Sequence, residues 1–300
     1  MLILLVRFRS PLRLLLASLL LSIIALAAPS CEADEADDSA TTPAPIRFLI
    51  SFDDGPSGAD YANPTAQVLR TLAQNEVQAG IKAIFFTQTR AINGGGSING
   101  KALLKREHDE GHLLAFHTAT PRHSNHRYLT EEEFDLSLKN GIADITAITG
   151  TAPKLVRPPF WNYDGRTLAA YHKYGMQLLL TDLNANDGKI WGVNFSLTKR
   201  RNMLKQLTTM QARWQSASLQ AVDGATPIIV TFHDINSYTA HHVEEYLHIL
   251  LEVARELNMT VASKAFYDDR VEIERAALAK TVRDMEVKTL LPGFWNWLWQ

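Results

Sequence analysis

Short apolar runs alternate with longer amphipathic stretches along most of this chain. Strand-like runs lie near residues 46–52, 82–87, 113–118, 154–157, 176–182, 226–233 and 259–264. Helical periodicity occurs near residues 62–78, 100–110, 130–148, 164–174, 196–217 and 239–257. Strands that alternate with helices in this way pair in parallel. The pattern therefore predicts an α/β fold, either a barrel or a doubly wound sheet.

The first thirty residues have a different pattern. Arg7, Arg9 and Arg13 precede an apolar run over residues 14–28, which ends in small residues. A basic start, a short apolar run and an Ala-rich end are typical of an export signal. The run is also near the minimum length for an uncleaved membrane anchor. Either way, residues 1–30 predict an exported protein that is periplasmic, in the cell envelope or secreted, with membrane association through this segment as an option.

Charge and cysteine content narrow the function classes. Without residues 1–30 the formal net charge changes from −2 to −5, because that segment carries three arginines and no acidic residue. A mildly acidic protein is a poor candidate for nucleic-acid binding. Cys31 is the only cysteine, so the chain forms no internal disulfide, and lipid modification of Cys31 is an open alternative. The acidic and Pro-rich residues 31–45 predict a linker, and residues 268–300 predict a C-terminal helix with a Trp-rich tail.

Polar side chains gather where the predicted strands end. Because side chains alternate along a strand, the adjacent Asp53 and Asp54 point in different directions. One carboxylate can then bind a metal while the other handles a proton. Further polar residues lie at other strand ends, which in a barrel is the face that carries active sites. They are His117, Arg157, Asp182, Asp187, His233 and Asp234.

Histidines cluster after the third predicted strand. His117 ends that strand, and His123 and His126 follow in the next loop. Two imidazoles plus a carboxylate make a three-ligand site for a divalent metal, with positions left for water and substrate. His108 and His112, just upstream, are predicted to be surface residues.

Two further stretches suit acyl chemistry. Pro158 and Pro159 fix an extended path after Arg157, which would hold the Phe160 backbone N–H in the direction that an oxyanion donor requires. His233 can act as a general acid if a carboxylate raises its pKa. Asp187 and Asp182 are the available partners for it.

Together these stretches resemble the five ordered motifs of the polysaccharide deacetylases, the NodB-homology family known as carbohydrate esterase family 4. The motifs are Ser51–Pro56, His117 with a following histidine, Arg157–Phe160, Asp187 and Phe232–Asp234. The resemblance implies a distorted (β/α)7-type barrel over residues 46–267, a single domain after the export segment. It also implies a metal-dependent hydrolase that deacetylates a polysaccharide, with N-acetylglucosamine-containing glycan as the expected substrate.

The resemblance also implies a role for each matching residue. Asp54, His117 and a second histidine would hold the metal, usually zinc and sometimes cobalt or nickel. Asp53 would be the general base, oriented by Arg157. The remaining implied roles are an oxyanion-stabilising backbone N–H at Phe160, a proton donor at His233 and tuning of that donor by Asp187.

The chain departs from the family pattern at the second metal histidine. That position, four residues after His117, holds Pro121. His123 is the expected ligand, which requires a two-residue insertion, and His126 is the alternative.

The chain also departs from the pattern around the acyl pocket. Gly188 and Thr231 stand where the family usually has Trp and Leu. The sequence therefore predicts a wider and more polar pocket, with Trp161 or Trp191 as side chains that could fill it. Two alternatives to an active polysaccharide deacetylase follow: a catalytically weakened carbohydrate-binding protein, and a hydrolase of a small-molecule amide.

Overall fold

The computed structural model describes residues 42–187, 189–190, 193–194 and 197–283. The predicted export segment, Cys31, Gly188, Trp191 and the Trp-rich tail lie outside these residues. The described residues from Thr42 onward belong to one compact unit. Within the described ranges, no helix is both long and apolar enough to cross a membrane.

Ten strands and seven α-helices are present in the described part of the chain. The strands are β1 Ile46–Asp53, β2 Ala83–Gln88, β3 Leu113–Thr118, β4 Leu155–Val156, β5 Gln177–Leu178, β6 Leu183–Asn184, β7 Lys189–Ile190, β8 Val193–Asn194, β9 Thr226–His233 and β10 Val261–Phe266. The helices are α1 Pro64–Ala73, α2 Ile98–Asp109, α3 Glu131–Thr149, α4 Gly165–Lys173, α5 Lys199–Gln215, α6 Ser237–Glu256 and α7 Arg270–Ala279. The predicted alternation of strands and helices is confirmed.

The main sheet is parallel and curls toward closure. Its strand order is β5-β4-β3-β2-β1-β9-β6, with β10 beside the start of β1. The two end strands, β5 and β6, are separated in the chain only by residues 179–182. Leu179 N donates to Val156 O at one side of this link, and Asp182 N donates to Ile229 O at the other. The predicted single strand over residues 176–182 is therefore wrong, because the chain there crosses between the two edges of the sheet.

Alternation along β1 separates the inside of the barrel from the outside. Phe48, Ile50 and Phe52 belong to the core cluster shared with the surrounding helices, and Phe52 stacks on Phe85 with ring centroids 5.1 Å apart. Leu49 instead belongs to a second buried cluster, with Ile84, Phe86 and Ile229. Since period-two alternation places Ser51 and Asp53 on the same side as Leu49, the barrel interior becomes polar toward the end of β1.

Helix α7 packs against the apolar part of that interior. Ile273, Ala276 and Ala277 belong to the same cluster as Leu49. The Asp269 carboxylate accepts from the first backbone N–H groups of α7, which begins the helix. The opposite end of the barrel, where the strands finish, is left for polar groups.

Two local predictions have different outcomes. The capping box at Thr130 is confirmed, since its hydroxyl accepts from Glu133 N and the Glu133 carboxylate accepts from Thr130 N. The prediction that His112 is a surface residue is wrong. Its ring is buried against Phe85, and its Nδ1 accepts from the backbone N–H of Ala83 at 3.1 Å.

Candidate active site

Asp53 is buried at the end of β1 and held by two donors. Arg157 Nη1 donates to Oδ1 at 2.7 Å, and the indole Nε1 of Trp161 donates to Oδ2 at 3.1 Å. The guanidinium of Arg157 is fully buried and lies 4.0 Å from the centre of the Phe86 ring. Burial lowers the pKa of Arg157, while the Asp53 carboxylate acts in the opposite direction. The buried charge on Asp53 is therefore paired, as a buried carboxylate requires.

A layer of hydroxyl groups lies directly beneath Asp53. Ser51 Oγ accepts from Arg157 Nη1 at 2.9 Å and lies 3.0 Å from Thr231 Oγ1. Ser51 pairs with Thr231 in the β1–β9 register, just as Asp53 pairs with His233. Thr231, which the sequence placed in the acyl pocket, is thus fully buried and bonded to this layer.

Asp54 turns away from β1 toward two histidines. Its backbone has a φ of 72°, in the left-handed region that Asp tolerates better than most residues. Its Oδ1 lies 3.1 Å from His117 Nε2 and 3.3 Å from His123 Nε2. One ligand atom from each residue fits within 4.8 Å of the others, so the three form a candidate metal site.

Hydrogen bonding fixes which nitrogen His117 offers. Its Nδ1 lies 2.7 Å from the backbone carbonyl oxygen of Arg157, and a carbonyl only accepts. In the neutral imidazole Nδ1 therefore carries the proton, and the lone pair lies on Nε2, the nitrogen that faces Asp54. This is the usual arrangement of a metal-ligating imidazole and its partner carbonyl.

His123 completes the cluster. Burial lowers its pKa to about 4, against the opposing charge of Asp54, so the ring is neutral at neutral pH. Burial opposes ionisation of Asp54, but His123 and His117 outweigh it and hold the pKa of Asp54 well below its usual range. The neutral imidazole of His123 and the ionised carboxylate of Asp54 are the forms that bind a divalent metal, so these side chains fit one.

His126 lies elsewhere. Its ring is fully buried among Phe116, Phe134 and Tyr171, and its Nδ1 bonds to the Tyr171 hydroxyl at 2.7 Å. The described structure thus brings His123, and not His126, to Asp54. The reason is the loop path, which turns His126 inward at a short 3-10 turn over His126–Tyr128.

His233 and Asp187 form a second pair at the same end of the barrel. His233 Nδ1 lies 2.8 Å from Asp187 Oδ1, while the backbone N–H of His233 and the Thr239 hydroxyl donate to Oδ2. Burial alone would lower the pKa of His233, but the Asp187 carboxylate outweighs it and raises the pKa to about 10. Asp182, the other predicted partner, instead accepts from Ile229 N and pairs with Lys280.

Asp234 restricts which residue can follow Asp54 in the chain. A Cβ on Gly55 would lie 2.2 Å from both carboxylate oxygens of Asp234, so this position requires glycine. Asp234 is fully buried, and its Oδ2 accepts from the Thr65 hydroxyl at 2.6 Å. Burial raises the pKa of Asp234 to about 7, assisted by the nearby charge of Asp54.

Phe160 and Trp161 are the least expected part of the site. Phe160 has a φ of 60° and Trp161 a φ of 52°. The Phe160 ring stacks on the His123 ring, with the two centroids 4.4 Å apart. From the sequence, Trp161 was predicted only as a side chain that could fill the acyl pocket. Its hydrogen bond to Asp53 was not predicted. The one sequence feature that could have indicated a role for Trp161 is its position directly after Phe160, the predicted oxyanion donor.

The comparisons with known proteins bear on this arrangement. A family model described as polysaccharide deacetylase matches residues 41–179, a stretch that contains the Asp53-Asp54 turn, His117, His123 and Arg157. Residues 41–179 are thus similar to the polysaccharide deacetylases. The resemblance that the sequence suggested is thereby confirmed, while Asp187 and His233 lie beyond the matched stretch.

Two curated relatives match this chain over part of their length. The peptidoglycan-N-acetylglucosamine deacetylase of Bacillus cereus is 33% identical over 134 residues, which are 41% of this chain and 42% of that protein. The peptidoglycan-N-acetylglucosamine deacetylase PgdA of Listeria monocytogenes is 27% identical over 235 residues, 78% of this chain and 42% of that protein. The aligned part of this chain thus spans less than half the length of these relatives.

A solved structure supports the fold. The chitin deacetylase from the fungal pathogen Colletotrichum lindemuthianum has a TM-score of 0.53 and 21% sequence identity, over 73% of this chain and 85% of that chain. The predicted distorted (β/α)7-type barrel is confirmed.

Proposed function

We propose that this protein is an exported, metal-dependent hydrolase that removes acetyl groups from a polysaccharide, by N-deacetylation of an N-acetylglucosamine-containing glycan. The observation that carries the proposal is the convergence of three groups at one end of the barrel. These are the Asp54–His117–His123 cluster, the Asp53–Arg157 pair and the His233–Asp187 pair. The names of the relatives support deacetylation of peptidoglycan or chitin as the reaction class.

Asp54, His117 and His123 would hold the metal. Their nitrogen and carboxylate ligands suit zinc, with cobalt or nickel as alternatives. When bound, the ion would supply Lewis acidity that polarises the acetyl carbonyl and makes water a better nucleophile at neutral pH. The second imidazole nitrogen of His117 is already bonded to Arg157 O, which would keep the ring in the orientation that ligation needs.

Asp53 would act as the general base. It is adjacent to Asp54 in the chain but is not one of the three residues that would hold the metal. The guanidinium of Arg157 holds its Oδ1, so the carboxylate is oriented by a donor that cannot itself lose a proton at physiological pH. A carboxylate oriented in this way can take a proton from the attacking water.

His233 would act as the general acid. The Asp187 carboxylate holds its Nδ1, which leaves Nε2 as the nitrogen that can give a proton to the departing sugar amine. A pKa of about 10 keeps the ring protonated at neutral pH, as a proton donor requires. The Phe160 backbone N–H, directed by the left-handed φ at that residue, would donate to the developing oxyanion.

Exposed rings on loops at the same end of the barrel support a sugar polymer as substrate. Tyr61 follows β1, Tyr128 follows β3 and Phe160 follows β4, with 90%, 79% and 47% of their surface exposed. Aromatic rings left open to water are suited to stack on sugar faces. Export would rest on residues 1–30, with residues 31–45 as a linker to the catalytic barrel and residues 268–300 as a C-terminal extension.

Substrate panels test this function. Acetate release should be compared on chitin oligomers, peptidoglycan and acetylated xylan, beside a small acetylated amide. Release that is fastest from a glycan that contains N-acetylglucosamine supports the proposal. Release only from the small amide would identify a small-molecule hydrolase, and glycan binding without any release would identify a carbohydrate-binding protein.

A further inference from the structure

Two consecutive residues of the site have a backbone conformation that residues other than glycine rarely adopt. Phe160 and Trp161 have φ values of 60° and 52°, in the left-handed region that favours glycine. Bulky residues persist there only where the surrounding structure holds them, and such positions concentrate at functional sites. Trp161 N donates to Pro158 O at 2.9 Å, which fixes the turn locally.

This dipeptide contacts both halves of the site. The Phe160 ring lies on His123, and the Trp161 indole Nε1 donates to Asp53 Oδ2 at 3.1 Å. The two side chains therefore leave the turn in different directions, one toward the metal cluster and one toward the base. A regular extended or helical conformation at these residues would alter both directions.

The second donor, the Trp161 indole N–H, restricts the orientation of the Asp53 carboxylate. Arg157 occupies Oδ1 alone, and a carboxylate held at one oxygen can still rotate about its own bonds. With Trp161 on Oδ2, donors on both oxygens fix the plane of the group. Each carboxylate oxygen has two lone pairs, so Oδ2 keeps one for the proton of the attacking water.

We infer that Trp161 is a positioning residue for Asp53, and that its indole N–H holds Oδ2 in the orientation needed for proton transfer. This inference rests on the proposed function, because it assigns Asp53 the role of base. The indole N–H of Trp161 donates to Asp53 and not to a residue of the metal cluster, so its effect should fall on the rate of the chemical step and not on metal or glycan binding.

Trp161→Phe removes the N–H and keeps an aromatic ring. The matched control is Trp214→Phe, because Trp214 Nε1 also makes one N–H bond, to Ala44 O at 2.7 Å, in a buried position on α5. We expect kcat to fall about tenfold in Trp161→Phe, the size of a lost bond to a charged acceptor, with KM and zinc affinity unchanged. Trp214→Phe should keep the wild-type kcat. Equal kcat values in wild type and a folded Trp161→Phe would overturn the inference.

A measurement without turnover separates this inference from the proposed function. In the metal-free protein labelled with ¹⁵N, the indole N–H signals of Trp161 and Trp214 are assigned from the two Phe variants. Asp53→Asn replaces a charged acceptor by a neutral one, so the Trp161 signal should move upfield while the Trp214 signal stays in place. A Trp161 signal that ignores Asp53→Asn would overturn the inference. If that signal responds but the wild type releases no acetate from any glycan, the proposed function fails while the contact is upheld.

Discussion

The backbone carbonyl oxygen of Arg157 lies 2.7 Å from Nδ1 of His117. The side chain of the same residue donates to Asp53 Oδ1, also at 2.7 Å. Arg157 therefore orients a candidate metal ligand with its backbone and the candidate base with its guanidinium. Because it directly follows β4 and is fully buried, its own position is set by the barrel and not by substrate.

Arg157→Lys should be strongly destabilising although the charge is kept. A lysine ammonium cannot reproduce the bonds to Ser51 and Asp53 together with those to the carbonyl oxygens of Leu179 and Leu180. We expect the free energy of unfolding to fall by about 3 kcal/mol, the lower end of the cost of breaking a buried ion pair. Arg90→Lys, at the exposed pair with Asp144, is the control and should cost at most about 1 kcal/mol. Urea denaturation measures both, and equal losses would contradict the role of Arg157.

The two loop histidines should differ in zinc binding. His123→Ala removes a nitrogen that lies 3.3 Å from Asp54 Oδ1, so zinc affinity should fall about 100-fold or more. His126→Phe should keep zinc affinity, and it should lower thermal stability because the bond to the Tyr171 hydroxyl is lost. Isothermal titration with zinc chloride measures the affinities. A loss of affinity in His126→Phe alone would mean that the loop takes a different path.

His233 should titrate far above an ordinary histidine in the metal-free protein. Its pKa is raised to about 10 by Asp187, so the native pair contributes stability that is fully present below about pH 6.5, the ordinary histidine pKa. That stability is lost as the pH rises through about 10. In Asp187→Asn the pKa of His233 should fall, because burial then acts without the carboxylate. NMR titration of the His233 ring checks both values, and an unchanged pKa in Asp187→Asn would contradict the pairing.

Ionisation of the buried Asp234 should lower the stability of the native protein as the pH rises. Its pKa is raised from 3.8 to about 7, so the native protein prefers it protonated and loses stability as the pH rises from about 4 to about 7. Asp234→Asn does not titrate. Between pH 5 and 7 its stability relative to wild type should therefore increase, by at most about 1.4 kcal/mol per pH unit. Urea denaturation at several pH values tests this, and a pH-independent difference would show that Asp234 is ionised throughout.

Strand ends were predictable from the sequence because apolar runs stop there. Asp53 and His233 each follow such a run, and parallel strands bring their ends to one face of a barrel. The layer beneath them was predictable in part, since Ser51 and Thr231 each lie two residues earlier on the same face. Its function in holding Arg157 required the side-chain contacts themselves.

Loop residues were harder to predict because periodicity says nothing about the path of a loop. His123 and His126 are three residues apart, yet one faces Asp54 and the other lies in the aromatic core. Trp161 reaches Asp53 only because two residues in succession take a left-handed φ, which no propensity predicts for Phe and Trp. His112 was misassigned for a similar reason, since the turn before β3 directs its ring inward.

Zinc-dependent acetate release from chitin oligomers tests the central claim most directly. The protein should be stripped of metal and assayed with and without added zinc, beside Asp53→Asn and His123→Ala. The account predicts release only with zinc in the wild type, a loss of turnover with zinc still bound in Asp53→Asn, and a loss of both in His123→Ala. Full activity of the metal-stripped protein, or of Asp53→Asn, would contradict it.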